Sequence, residues 1–155
     1  MLRLIMPADT IPLIDLTAAT DYFKPLEITA LREVFEDYFK EEINFGHRCY
    51  GEFEGDRPLG YVYYAPVPMT EGTWCVYWIA VAKDQQGKGL GTRLINFVEK
   101  EARDHNGRLL LLETSSLTRY DSTREFYKKR GYSVASHIPD YYADGDGLVV
   151  FCKRL

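Results

Sequence analysis

The stretch Gln86-Gly87-Lys88-Gly89-Leu90-Gly91-Thr92 holds the residue types that a bound phosphate needs. Glycines at alternate positions let the backbone approach a ligand, and the amides that open a helix have no carbonyl one turn behind them to bond. With the positive end of the helix dipole behind those amides, the segment is an anion site suited to a diphosphate. Two common phosphate loops are excluded by spacing. A Walker loop needs Ser or Thr directly after its Gly-Lys, whereas Gly89 follows Lys88, and a dinucleotide fingerprint needs G-x-G-x-x-G, whereas these glycines alternate. Taken alone, the cluster fits a tight strand-to-helix turn as well as it fits a ligand site.

No other constellation competes with it. Cys49, Cys75 and Cys152 are scattered without a C-x-x-C pair, and His47, His105 and His137 show no ligand spacing, so no metal is expected. The cysteines read as reduced, buried fillers of a cytoplasmic protein. Asp144-Gly145-Asp146-Gly147 starts like a calcium loop, but Leu148 stands at the next ligand position and the terminal Glu is missing, so it reads as a turn.

The elements that must position these residues follow from periodicity. Leu2 to Met6 reads as a short strand, and residues 10–42 as two helices divided near Pro25, which suits a first helical turn. In the second of them Leu31, Val34, Phe35, Tyr38 and Phe39 recur at helical spacing. His47 to Phe53, Leu59 to Ala65 and Trp74 to Ala82 are aromatic and β-branched runs, hence strands, the first two joined through Glu54-Gly55-Asp56-Arg57. A helix over Lys88 to His105 puts Leu90, Leu94, Ile95, Val98 and Ala102 on one face and stops at Asn106-Gly107. Arg108 to Glu113 is a strand whose four leucines predict burial on both faces. Ser122 to Arg130 predicts a helix with a Ser122/Glu125 capping box and a stop at Gly131, and residues 132–138 and 147–153 close the chain as strands. The order of elements predicts a mixed α/β fold, a central sheet of about six to seven strands with about four helices on its faces.

With 155 residues the chain is expected to form one domain, residues 1–155, and its 46% apolar and 27% charged residues exclude disorder. No apolar run approaches the ~20 residues of a membrane span, Leu109 to Leu112 included, and no signal segment is read at the start, so a cytoplasmic protein without a membrane partner is expected. Residues 1–56 hold 5 basic and 12 acidic residues, net −7, and residues 57–155 are net +3. No dense basic stripe points to nucleic acid; the asymmetry suits an anion in the C-terminal part and a cation near the N-terminal part.

Gln86-x-x-Gly89-x-Gly91 resembles the Q/R-x-x-G-x-G/A signature of the GNAT N-acetyltransferase superfamily. Upstream, Trp78-Ile79-Ala80-Val81 resembles that family's fourth strand. Downstream, Phe126-Tyr127-Lys128-Lys129-Arg130-Gly131-Tyr132 resembles its Y-x-K-x-G-F/Y segment, and the order of elements is the family's order. The resemblance implies a GNAT-like acyltransferase fold and acetyl transfer from acetyl-CoA, as co-substrate, to a primary amine. It implies that the backbone of Ile79, Ala80 and Val81 bonds the pantetheine amides, and that Gln86, Gly87, Lys88, Gly89, Leu90, Gly91 and Thr92 cradle the pyrophosphate. Lys88 adds charge there or is an ordinary surface lysine.

The reaction itself needs an amine that has lost its proton and a donor for the departing sulfur. The resemblance makes Tyr127 the general acid and Glu113, which ends the leucine strand, the base; packing and a strand-end carboxylate are the structural alternatives. Where many members carry N-x-x-A-x-x-x-Y, this chain has Tyr120, Thr123 and Tyr127, so Tyr120 stands in the place of a cofactor-contacting Asn. The expected acceptor is a small-molecule or peptide amine, with a cation favoured by Asp21, Glu27, Glu33, Glu36, Asp37, Glu41 and Glu42. Pro139-Asp140-Tyr141-Tyr142 either lines the acceptor groove or is an edge strand leading to a turn. An exposed late strand offers a route to a homodimer. The alternative to catalysis is a non-catalytic module that binds or senses CoA.

Overall fold

The computed structural model describes residues 1–155 and falls into two compact units, Met1–Pro66 with Trp78–Val98, and Val67–Tyr77 with Glu99–Leu155. Seven strands, β1 (Leu2–Leu4), β2 (Arg48–Glu54), β3 (Arg57–Pro66), β4 (Thr73–Val81), β5 (Leu109–Ser115), β6 (Ser133–Ala143) and β7 (Asp146–Arg154), run in the order β1-β2-β3-β4-β5-β7-β6. The four α-helices are α1 (Thr10–Ala19), α2 (Pro25–Lys40), α3 (Leu90–Asp104) and α4 (Asp121–Lys129). The mixed sheet and the four helices match the expected fold class. No helix is long and apolar enough to cross a membrane.

In the first unit β1, β2 and β3 pair antiparallel, and β2 turns into β3 through the two residues between Glu54 and Arg57. Two faces of these strands are used. Leu13 and Ile14 of α1 and Leu31, Phe35 and Tyr38 of α2 form one buried cluster with Cys49, Phe53, Tyr61 and Tyr63. On the other face Tyr50 lies 4.6 Å from Phe97 of α3 between ring centres. Covered on both sides, β3 is buried without interruption from Gly60 to Ala65, where an exposed hairpin would alternate. The buried hydroxyl of Thr17 meets that of Tyr61 at 2.9 Å, so α1 is tied to β3 by a polar contact inside the apolar cluster.

In the second unit β5 pairs parallel with β4 from Thr73↔Leu109 to Val76↔Leu112, and antiparallel with β7 from Leu109↔Arg154 to Ser115↔Leu148. Its leucines correct one expectation. Leu110 and Leu112 are fully buried while Leu109 and Leu111 are half-buried, so the strand keeps two unequal faces. The buried face receives Tyr127 of α4, whose ring centre is 5.5 Å from that of Phe151 on β7. Glu99 of α3 is buried as well, and it accepts hydrogen bonds from Tyr132 Oη at 3.0 Å and Lys153 Nζ at 2.8 Å. A buried carboxylate is tolerated where such partners replace water.

Two helix starts differ from the sequence reading. α3 begins at Leu90 rather than Lys88, because Gly87 and Gly89 take φ of +74° and +83°, which no right-handed helix accommodates. α4 begins at Asp121, so Ser122 lies inside it and no side-chain cap forms; Glu125 pairs with Lys128 at 3.2 Å instead of closing a capping box. The predicted ends hold, with Asn106 at φ +61° after α3 and Gly131 at φ +88° after α4. All three cysteines are free thiols; Cys49 and Cys75 are buried and Cys152 is half-buried.

Candidate active site

The glycine turn of the first unit is built by its own strand and by the residues around it. Ala82 donates its N–H to Leu59 O at 2.9 Å where β4 ends, and Gln86 Nε2 donates to Val81 O at 3.1 Å. Gln86 thereby spends its amide on the turn, and one of the predicted cofactor residues positions another. Two ion pairs hold the approach: Arg57 with Asp84 at 2.6 Å, and Lys83 with Asp21. Asp21, predicted as part of an acidic wall, is thus partly neutralised; Glu42 lies 3.0 Å from His47 Nε2, but burial lowers the pKa of that imidazole, so the carboxylate keeps its charge unbalanced there.

From there the chain passes through Gly87, Lys88 and Gly89, all exposed, into α3. Arg93 N–H bonds to Gly89 O at 3.1 Å, the first bond of the helical ladder, so the amides just after Gly89 belong to the opening turn. A Cβ built on Gly87 or Gly89 meets nothing within 4 Å. Neither glycine is there to avoid a protein neighbour; both are there for their positive φ, and the space over them is open. Leu90 is the opposite case. Its side chain is buried, 3.1 Å from a Cβ built on Gly60, so only its backbone faces the turn. An exposed turn of left-handed glycines at the start of a fifteen-residue helix fits a diphosphate. Ile79, Ala80 and Val81 lie in the same unit at the end of β4.

Glu113, Tyr120 and Tyr127 all belong to the second unit, but Glu113 alternates to the other face of β5 from Leu112, whose face receives Tyr127. Glu113 is exposed on β5, opposite Val150 of β7. Burial, and next the charge of Glu113, push the Cys75 thiol up to about 12, so it is an inert packing residue beside that carboxylate. Tyr120 is half-buried, its N–H bonded to Leu117 O at 2.9 Å, with Arg119 lying 5.4 Å over its ring. Tyr127 is buried at 4% exposure among Phe126, Tyr132 and Phe151. That burial raises its phenol above the ordinary tyrosine value, so the hydroxyl keeps its proton at any physiological pH.

Three polar residues of this unit escaped the sequence reading. Ser115 and Asp146, both buried, are hydrogen-bonded to each other, and Arg124 donates to the carbonyls of Ser115 and Leu117. The sequence predicts Asp146 in a turn; it is instead the first residue of β7, and the turn is Asp144–Gly145 alone. The signal available in the sequence is the polar ending Glu113-Thr114-Ser115-Ser116 on an otherwise apolar strand.

A sequence model of the GNAT family of acetyltransferases matches residues 15–132. A solved structure from Desulfovibrio desulfuricans, assigned to the same family, is 32% identical, covers 99% of this chain and 98% of its own, and has a TM-score of 0.93. An uncharacterized N-acetyltransferase of Methanocaldococcus jannaschii is 26% identical over 133 residues, 79% of this chain and 80% of its own length. An aminoglycoside 6'-N-acetyltransferase solved with coenzyme A shares the fold at a TM-score of 0.75 and 18% identity, covering 99% of this chain and 96% of its own. The family match and the Desulfovibrio relative together decide the assignment: this chain belongs to the GNAT family of acetyltransferases.

Proposed function

We propose that residues 1–155 act as a single N-acetyltransferase domain that moves the acetyl group of acetyl-CoA to a primary amine by direct attack on the thioester. The observation that carries this reading is the open glycine turn at the start of α3, in a chain of the GNAT family. Gly87 to Thr92 would hold the pyrophosphate by their backbone amides, with Lys88 exposed beside them and the backbone of Ile79 to Val81 taking the pantetheine amides. Tyr120 would add a contact near the cofactor.

Acetyl-CoA supplies an activated acyl group on sulfur. Glu113, exposed to water on β5, would take the proton that an ammonium must lose before it can attack, directly or through one water. Tyr127 Oη would donate to the sulfur. Because burial raises its pKa above that of a thiol near ~8.5, full proton transfer from it is uphill, and its main contribution is a hydrogen bond to developing negative charge.

The acceptor in this reading is a cationic amine, small or peptide-borne. Support comes from the exposed carboxylates Glu33, Glu36, Asp37 and Glu41 of the first unit. A homodimer through β6 is part of the same proposal; that strand is exposed along all eleven residues, with Val134 at 52% and Ile138 at 47%. The free thiols support a reducing, cytoplasmic setting. Isothermal titration with acetyl-CoA, beside ATP and NAD, tests the cofactor first. Micromolar binding of acetyl-CoA alone is expected; its absence in folded protein would reduce the glycine turn to a structural device.

A further inference from the structure

The connection from β5 to α4 is tied down on three sides, all within the second unit. Ser115 Oγ donates to the Asp146 carboxylate and accepts from Leu117 N–H at 3.0 Å. Ser116 N–H bonds to Gly147 O at 2.8 Å, and Gly147 N–H returns to Ser116 Oγ at 2.7 Å. Arg124, one turn into α4, donates to the carbonyls of Ser115 and Leu117 and pairs with Asp121. The start of β7 therefore holds the end of β5 and the entry of α4 in one arrangement. Three residues beyond Arg124 stands Tyr127, its ring fixed by Phe151 of the same β7.

We infer that Asp146 and Ser115 are positioning residues for the transfer reaction, an inference that rests on the hydrogen-bonding role proposed for Tyr127 at the thioester sulfur. The hydrogen bond from Ser115 to Asp146 keeps Ser115 Oγ turned so that its lone pair receives Leu117 N–H, and this sets the height and angle at which α4 leaves the sheet. Both residues are buried, Asp146 at 4% and Ser115 at 9% exposure, so water does not replace a lost partner at full strength. A shift of α4 by an ångström moves the Tyr127 hydroxyl by a similar amount, and such a misplacement costs about 100-fold in rate. What Asp146 must supply is an acceptor oxygen at that place. Its charge is dispensable.

The test uses the full chain with Ser115→Ala, Asp146→Ala, Asp146→Asn and, separately, Tyr127→Phe. Turnover is read as thiol release from acetyl-CoA with spermidine, phenethylamine and an alanyl peptide as probe amines, keeping whichever the parent acetylates fastest. Amide hydrogen exchange over residues 115–121 reads the turn without any acceptor. Ser115→Ala and Asp146→Ala are expected to lose about 30- to 100-fold in kcat, with acetyl-CoA affinity within about 3-fold of the parent and faster exchange at residues 115–121. Asp146→Asn keeps an acceptor oxygen and is expected to restore kcat to within about 3-fold of the parent. Should Asp146→Ala fail to fold, Ser115→Ala carries the same comparison.

Parental kcat in Ser115→Ala, unaltered exchange at residues 115–121, or an Asp146→Asn as slow as Asp146→Ala each overturns the inference. A Tyr127→Phe enzyme with parental turnover overturns the hydrogen-bonding role of Tyr127 instead. The two failures are therefore told apart by which variant is silent.

Discussion

An alanine at Gly89 separates a ligand cradle from a mere turn. Gly89 has φ +83°, and an L-residue in the left-handed region costs about 1–2 kcal/mol. Where that cost is felt depends on what pins the backbone. Nothing lies within 4 Å of a Cβ at Gly89, so no side-chain packing holds an alanine in the strained conformation; only the Arg93 N–H bond to Gly89 O does, and the exposed turn is expected to relax toward negative φ. The folded protein then loses little stability. A ligand that needs the amides of the left-handed turn must restore the strain on binding, and about 1–2 kcal/mol there weakens the Kd about 5- to 30-fold.

Gly55 provides the control, because it has the same kind of backbone in a different setting. Its φ is +60°, and its Cβ too would meet open space. It sits, however, between Glu54 and Arg57, which pair directly across the β2–β3 hairpin and hold the turn closed. An alanine at Gly55 cannot relax without breaking that pair, so the cost appears as lost stability, lowered by up to about 1 kcal/mol through the stiffer unfolded chain. Titration calorimetry with acetyl-CoA and thermal melting of both variants decide the matter. The expected pattern is crossed: weakened binding with a parental Tm for Gly89→Ala, and parental binding with a lowered Tm for Gly55→Ala. Parental affinity in Gly89→Ala, or equal weakening in both, would refute the cradle.

Tyr127→Phe keeps the ring against Phe151 and removes only the hydroxyl, so acetyl-CoA affinity should persist while kcat falls about 100-fold, as steady-state kinetics would register. Glu113→Gln should flatten the acid limb of the pH–rate profile for a probe amine, and a profile that overlays the parent's counts against the base role. Asp9, bonded to Arg3 at 2.7 and 3.0 Å and to Met6 N–H at 2.7 Å, has its carboxyl held below the usual 3.8, chiefly by the Arg3 hydrogen bond. Because the unfolded chain takes up that proton first, the stabilisation is full above pH 3.8 and is lost as pH falls below it; Asp9→Asn should lower stability at pH 7 and remove that part of the acid dependence in urea titrations.

How far the sequence reveals this structure depends on whether a feature is local. The apolar stripe of α3 is legible because Leu90, Leu94, Ile95, Val98 and Ala102 recur at one periodicity, and all five are buried. The glycine turn is legible for the same reason, since its conformation is dictated by residues within it. The start of α4 is not. Ser122 and Glu125 satisfy the local rule for a cap, yet Arg124 reaches back to the carbonyls of Ser115 and Leu117, and these tertiary bonds start the helix one residue earlier. Ser115 and Asp146 lie 31 residues apart, so their pairing has no local signature at all. Burial of Tyr127 is non-local in part: Phe126 and Tyr132 are near in sequence, but Phe151 of β7 is not.

The same contrast separates the two helix entries by chemistry. Both follow a strand through one short 3-10 turn, α3 after β4 by way of Lys83–Gln85 and α4 after β5 by way of Thr118–Tyr120. At the first, positive-φ glycines shape the turn, no side chain covers them, and their amides remain available to a ligand. At the second, the Ser115 hydroxyl takes the Leu117 N–H, the Arg124 guanidinium takes the carbonyls of Ser115 and Leu117, and the Asp146 carboxylate holds the Ser115 hydroxyl, so the segment is closed on itself. A backbone kept open by conformational freedom suits a binding surface, because a ligand completes its hydrogen bonds. A backbone completed by side chains suits the support of a group that must not move. Substitutions should obey that division: at Gly87 and Gly89 any side chain disturbs binding through φ, whereas at Asp146 any side chain that keeps the acceptor oxygen in place is tolerated.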